Sequence, residues 1–419
     1  MARSGRAGRA PLGAQAAVRA ALLPLVAALV VVAAVARRQG DVDAASDVYL
    51  GAMLGFGLIM ASGLATFPLA MLADAEIPLV LIGVGPIVRR HVGRHRMTVL
   101  RLLPVSFFYV FGARRAHFRR DTRLLAAANV VTPPVAALAL VTVLPGYVAL
   151  AAVLTAGWSC LVRLAQRNPV LECSNFAFLV RSSTPDDRGL NAAADSWDAF
   201  YAAAFGDAAT AERRLPGVPA RVAAPMYGAA PLQGLLHEIR GDYEAAWRLL
   251  RSYPPEHARV ARLDDVRLRL LEAERNPSTR DSALAAADRL LGTAQQGRQP
   301  QADRGRYSAV LALYRLELGR PNEARGSVQV QLRLARTPVR YAEALCNRAR
   351  IEAAAGRLEQ AGRTLRLAHS VAPWHARIGV VRGRIGLAAA DGAPVRDVLE
   401  ITRSGAADTP ADPWAAPGA

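Results

Sequence analysis

The chain contains no lysine: its 52 basic residues are all arginine, set against 34 acidic ones. With alanine abundant throughout, this points to a compositional bias acting on the whole gene. The net charge of +18 is therefore weaker evidence for an anionic partner than its size implies. No reading motif accompanies the charge, so nucleic acid is not expected as a partner. Cysteine is scarce as well. Cys160, Cys173 and Cys346 show no paired spacing, which excludes a disulfide framework and a zinc knuckle. A local absence says most: from Leu124 to Val162 there is not one charged side chain. About 20 apolar residues cross a hydrocarbon core, and Pro145-Gly146 divides the run, so it reads as a transmembrane hairpin.

A length of 419 residues accommodates two or three domains, and 52% hydrophobic content fits a chain that is part membrane, part soluble. Four segments are apolar enough to span, at about 20–36, 48–72, 124–144 and 147–162. The first also resembles a signal peptide, with Arg3, Arg6, Arg9 and Arg19 before it and Ala34-Val35-Ala36 at its end; Arg37-Arg38 and the membrane domain that follows favour a retained anchor. Before residue 190 there are 20 arginines and 9 acids, and after it 32 and 25, so the basic excess lies beside the spans.

Ten of those arginines (Arg89, Arg90, Arg94, Arg96, Arg101, Arg114, Arg115, Arg119, Arg120 and Arg123) fall between the second and third spans, which places that loop in the cytoplasm. The first loop, with Asp41, Asp43 and Asp47, is expected outside, and Arg163 and Arg167 inside. Both termini are then cytoplasmic, in an integral protein of the cytoplasmic membrane. Within the basic loop, Ile77 to Val88 and Met97 to Ala113 are apolar, rich in Val, Ile and Phe, and too short to span, so they read as strands or re-entrant segments. Such backbone needs protein around it at membrane depth, which predicts a compact intramembrane fold.

The order of these features resembles a known family. Ile82-Gly83-Val84-Gly85-Pro86, then Leu100-Arg101-Leu102-Leu103-Pro104 and Phe107-Phe108-Tyr109, is similar to the membrane-associated strand region of site-2 proteases, the M50-type intramembrane zinc metalloproteases. Ala126 to Pro134 leading into an apolar helix fits as well, and Thr132-Pro133-Pro134-Val135 echoes that family's helix start. The resemblance covers roughly Val48 to Asp195. It implies a His-Glu-x-x-His helix before the strands, where two imidazoles on one helix face bind zinc and the glutamate serves as base.

Here that stretch reads Ala65-Thr66-Phe67-Pro68-Leu69-Ala70-Met71-Leu72-Ala73-Asp74, with no histidine. The family's later aspartate has its nearest echo at Asp186-Asp187-Arg188-Gly189. One carboxylate without imidazoles does not make a catalytic zinc site. His91-Val92-Gly93-Arg94-His95 has the histidine spacing but lacks the glutamate and lies after the strand motif, so it reads as a solvated basic loop. Ser62-Gly63 faintly resembles the nucleophile of rhomboid-type proteases, yet no span contains a histidine base, and a small-residue packing contact is the better reading. No catalytic, cofactor-binding or metal residue is assigned.

From about residue 191 to 403 the chain becomes helical and repetitive. A turn glycine or its substitute recurs at Gly206, Gly241, Asn276, Gly319, Gly356 and Gly392, near the period of 34 residues that resembles tetratricopeptide helical hairpins. Small residues stand seven before and five after the turn: Ala199 and Ala211, Gly234 and Ala246, Ala312 and Ala324, Ala349 and Ala361, with Ala368 and Pro373 completing the last copy. Stacked hairpins of this kind bury one continuous core.

A solenoid rich in arginine suits a carboxylate-bearing peptide, although Arg262 to Arg275, interleaved with Asp264, Asp265, Glu272 and Glu274, reads as a solvated, salt-laced face. Residues 404–419 read as a disordered tail, and 1–19 as a basic leader to the 20–190 membrane domain.

The expectation is thus a mainly all-α protein: about four transmembrane helices with a short apolar strand or re-entrant region, then a cytoplasmic α-solenoid that binds a protein or peptide. Two alternatives remain open, an active intramembrane zinc metalloprotease with a substrate-presenting repeat domain, and a plain anchored solenoid.

Overall fold

The computed structural model describes residues 14–40, 43–72, 76–93, 96–112, 118–165, 188–220, 228–250, 253, 258–294 and 304–386. The basic leader before residue 14, Cys173, Asp186-Asp187, Gly392 and the 404–419 tail lie outside them. The described chain is mostly helical, with one small sheet. By contacts it divides into two compact units: residues 1–66, 124–166 and 174–176 form one, and residues 67–123, 167–173 and 177–419 the other.

The first unit holds α1 (Ala14–Arg38), most of α2 (Ala44–Leu72) and α3 (Phe118–Leu140), and α4 (Gly146–Ala165). Among the described residues three helices are long and apolar enough to cross a membrane: Ala44–Leu72, Arg123–Leu140 and Gly146–Ala165. The break expected at Pro145-Gly146 is where α4 begins, its first turn closed by the Ala149 amide donating to the Pro145 carbonyl at 2.8 Å. The expected first span forms α1 and is not one of the three.

Close packing of α2 on α4 follows from a Gly-x-x-x-Gly pair. A Cβ at Gly51 would lie 2.3 Å from the Val148 carbonyl oxygen and 2.8 Å from Ala151 Cβ; one at Gly55 would lie 2.7 Å from Thr155 Cβ. Only glycine admits the partner backbone so near, which is how apolar helices associate without a hydrophobic driving force. Gly51 meets Val148 and Ala151, Gly55 meets Ala152 and Thr155, and Ser62 meets Arg163, so the two helices run in the same direction. At the other end of α1, the Tyr147 hydroxyl bonds Gln39 at 2.5 Å, which brings the end of α1 to the start of α4.

The second unit begins with the sheet. β1 (Glu76–Val92) and β2 (Met97–Gly112) pair antiparallel, and each is bent midway, β1 at Gly83 and Gly85, whose φ values of +88° and +89° favour glycine. Leu79–Ile82 consequently lies between two partners, Met97–Leu100 on one side and Phe107–Val110 on the other. The sequence places 76–112 inside the 20–190 membrane domain, but its buried residues Leu79, Met97 and Val99 share an apolar cluster with Leu332, Tyr341 and Leu345 of the helical unit. Arg90, one of the ten loop arginines, is buried there. Its guanidinium stacks 4.0 Å from the Tyr341 ring and donates to the Leu332 carbonyl at 2.5 Å.

The remaining helices come in consecutive packed pairs: α5 (Arg188–Ala204) with α6 (Ala208–Arg214), α7 (Ala229–Ile239) with α8 (Tyr243–Leu249), α9 (Ala258–Arg275) with α10 (Arg280–Ala294), α11 (Arg304–Glu317) with α12 (Pro321–Leu334), and α13 (Pro338–Ala354) with α14 (Leu358–Val371). A short α15 (Arg377–Arg384) follows. Four of the expected turn glycines do the same job. Gly206, Gly241, Gly319 and Gly356 have φ between +74° and +86°. At each, the following amide reaches back five residues, as Asp207 does to Ala202 and Arg357 to Glu352, closing a Schellman cap. Asp207 and Asp242 then cap the next helix by accepting from Thr210 and Ala245 amides.

The flanking small residues are buried: Ala199, Ala312, Ala324, Ala349 and Ala361 at 0%, Ala211 and Ala246 at 1%. Asn276 departs from the pattern. Its φ is −122° and it opens the 3-10 turn Pro277–Thr279 by accepting from the Ser278 amide, because a proline at the next position takes the chain through a different turn.

Candidate functional site

The residues weighed in the sequence as protease positions make other contacts. Thr66 is fully buried and its hydroxyl bonds Asn129 Oδ1 at 3.1 Å, while the Phe67 ring packs edge-on against Phe107 at 5.1 Å. His91 lies exposed on β1 with its backbone paired to Thr98, so no helix face joins it to the position of His95, which is outside the described residues. The Ser62 hydroxyl donates to the Ile59 carbonyl at 2.7 Å and accepts from Arg163 at 3.2 Å. Among the described residues no group of three His, Cys, Asp or Glu side chains is placed to hold a metal ion. Cys160 and Cys346 are free thiols, and burial pushes that of Cys346 up to about 12.

Two polar clusters stand out instead. In the first unit, Arg163 turns its guanidinium inward from α4 and donates to the Asn129 carbonyl (2.5 Å), the Ile59 carbonyl (3.3 Å) and Ser62 Oγ. The chemistry behind this is legible. Pro133 has no N–H to give to the carbonyl four residues earlier, which is that of Asn129, so α3 leaves an acceptor open at membrane depth. Arg163 fills it and ties α2, α3 and α4 together.

The second cluster runs through the odd-numbered helices of the helical unit. Arg267 on α9 donates to both oxygens of Glu238 on α7 (2.8 and 2.6 Å) and to Glu343 on α13 (2.7 Å); Arg340 bonds the same two carboxylates at 2.7 Å. Further along, Glu274 on α9 accepts from Arg350 (2.7 Å) and Arg377 (2.6 and 3.1 Å), while Glu317 on α11 pairs with Arg350 (2.9 Å) and Arg384 (2.8 Å). The side chains of Glu274 and Glu317 are 0% exposed and that of Arg377 is 1%. These pairs draw α13 and α15 against α7 and α9. Val339 shares an apolar cluster with Ala203, Leu236 and Ile239, and the Ala376 amide bonds the Ile239 carbonyl at 3.0 Å.

The reading of Arg262 to Arg275 as a solvated face is therefore corrected. Asp265 and Arg269 do pair near the surface, but Arg267 and Glu274 are interior, because the helices curl until that face of α9 meets α7, α13 and α15.

Electrostatics follow from burial and pairing. Burial pushes the Glu238 carboxyl up, and Arg267 and Arg340 more than offset it, leaving it well below the usual carboxylate range. Glu274 reaches about 2, with burial raising it and the Arg377 and Arg350 guanidiniums lowering it further. His375, 2% exposed, has no hydrogen-bond partner on either ring nitrogen among the described residues, and burial holds it down at about 4. Beside this network a cleft is lined by Phe200, Leu235, Leu250, Asp264, Arg267 and Arg306.

No protein-family model, curated protein or solved structure matches this chain. The two clusters are what sequence reasoning missed. The signal for the first was a double proline opposite an arginine that ends a charge-free run. For the second it was Asp264, Arg267 and Glu274, which recur at helical spacing along one stripe of α9.

Proposed function

We propose that this chain is a non-catalytic integral membrane protein of the cytoplasmic membrane, in which a tetratricopeptide-like array of helical hairpins serves as a cytoplasmic scaffold for a protein partner. The observation that carries the reading is the repeated hairpin unit, with its positive-φ glycine turn and buried alanines, on the same chain as three helices able to cross a bilayer. The membrane part is read as site-2-protease-like without zinc ligands, on the Ile82-Gly83-Val84-Gly85-Pro86 order and the absence of histidine from the spans. The arginine distribution puts α1 as a fourth span and both termini inside. The lipid bilayer and a protein or peptide are the partners, and no nucleic acid is expected.

The test is crosslinked purification of the full chain from its native membrane, with zinc assayed on the detergent-purified protein. Crosslinks from one partner mapping within 188–386 are the expected result. A failure to recover any such partner overturns the scaffold, and one tightly held zinc per chain, released by chelation, returns the case to the active metalloprotease.

A further inference from the structure

The last described helix, α15, carries two residues its packing does not ask for. Arg377-Ile378-Gly379-Val380-Val381-Arg382-Gly383-Arg384 carries two exposed glycines at i and i+4, and among the described residues nothing lies within 4 Å of where a Cβ would stand at either. Alanine would fit both places. Each glycine instead disfavours the helix about fivefold relative to alanine, and eight residues are too few for a helix to persist alone in water. The helix therefore owes its order to docking. Ile378 and Val381 enter the apolar core, Arg377 engages Glu274, and Arg384 engages Glu317 at 2.8 and 3.0 Å. Just before it, the Trp374 indole covers the Gly206 turn, where any side chain would collide with it.

We propose that residues 374–386 are a releasable strap, occupying in cis a docking face on α7, α9, α11 and α13 whose ligand chemistry is a helical segment with two arginines seven residues apart. The proposal rests on the scaffold reading and specifies the partner: a protein bearing such a segment displaces the strap. The face itself argues for a basic partner and against the acidic one suggested by composition. Its arginines are already bound to carboxylates. Among the described residues, release of the strap would leave Glu274 with Arg350, and Glu317 with Arg350 and Arg280, the latter at 3.9 Å, so what opens is a set of acceptor lone pairs on two buried carboxylates. Guanidinium forks fill such sites and a neutral helix does not.

The experiment uses the full chain in detergent and a fluorescent peptide of residues 374–386 as the probe. Arg384→Ala loosens the strap, and the double variant Gly379→Ala/Gly383→Ala tightens it. Peptide affinity is expected to rise at least about tenfold in the first and to fall about thirtyfold in the second, with binding weakened by salt. Hydrogen exchange over 377–384 is expected to be faster than over α13 in the parent chain and about thirtyfold slower in the double variant. Exchange as slow as that of α13 in the parent overturns the strap, as does an Arg384→Ala chain of unchanged melting that does not bind the peptide. If Arg384→Ala does not fold, the double variant decides by the same exchange measurement. A crosslinked partner recovered equally from parent and double variant keeps the scaffold and discards the strap. Recovery of none from either discards the scaffold, while peptide binding still reports on the strap.

Discussion

Glu274→Gln removes one negative charge and almost no volume from the middle of the ion network. The carboxylate is fully buried and accepts three hydrogen bonds from Arg350 and Arg377. Its carboxyl sits at about 2 in the fold against a usual 4.5. At roughly 1.4 kcal/mol per pH unit, that difference is worth about 3 kcal/mol at neutral pH. Because the folded value is the lower one, the contribution is complete above about pH 4.5 and disappears as pH falls toward 2. The variant should therefore melt about 6–12 °C below the parent at pH 7, taking 2–4 °C per kcal/mol for a unit of this size. Part of the parent's acid lability between pH 4.5 and 2 should also disappear. The assay is intrinsic fluorescence melting of the detergent-purified chain across pH. A melting point within about 2 °C of the parent at pH 7, with an unchanged acid limb, would refute the claim that paired buried charge holds α9 to α13 and α15.

His375→Leu probes the neighbouring window with the opposite outcome. A histidine held at about 4 in the fold and at 6.5 when free binds more protons unfolded, so its burial costs stability as pH falls from 6.5 to 4. Leucine should leave melting at pH 8 little changed and add about 2 kcal/mol at pH 5, read from melts at the two pH values. Gly55→Leu drives a side chain into Thr155 and the Ala152 carbonyl, so α2 and α4 should separate, read as a loss of about 1–3 kcal/mol in thermal denaturation of the detergent-purified chain. Arg163→Leu leaves the Asn129 carbonyl open again. A loss of about 1–3 kcal/mol is expected, and it should be largely restored when Pro133→Ala supplies an intrahelical donor, as measured by thermal inactivation of the folded detergent complex.

Some of this architecture was open to reading because the demand is local. A backbone at positive φ admits glycine before other residues, so Gly206, Gly241, Gly319 and Gly356 declare their turns in one residue each, and a close helix crossing declares itself in the alanines around them. Asn276 misled because an asparagine can take that conformation, and only Pro277 beside it signals a different turn. Gly386, with φ +70°, closes α15 yet stands off the period, whereas Gly392 keeps the period and lies outside the described residues.

The charge network is different in kind. On α9, Leu263, Val266, Leu270 and Ala273 make one buried stripe, and Asp264, Arg267 and Glu274 lie on another that proves to be nearly as deep. A stripe of mixed charge normally faces water, since water is the partner always available. It can face inward only when every member finds a counter-ion, and the counter-ion of Glu274 stands 103 residues further along the chain, at Arg377. Arg90 follows the same logic, counted among loop arginines that set sidedness until Tyr341 and Leu332 are found beside it. An arginine whose partner is that distant is indistinguishable, in sequence, from one that faces solvent.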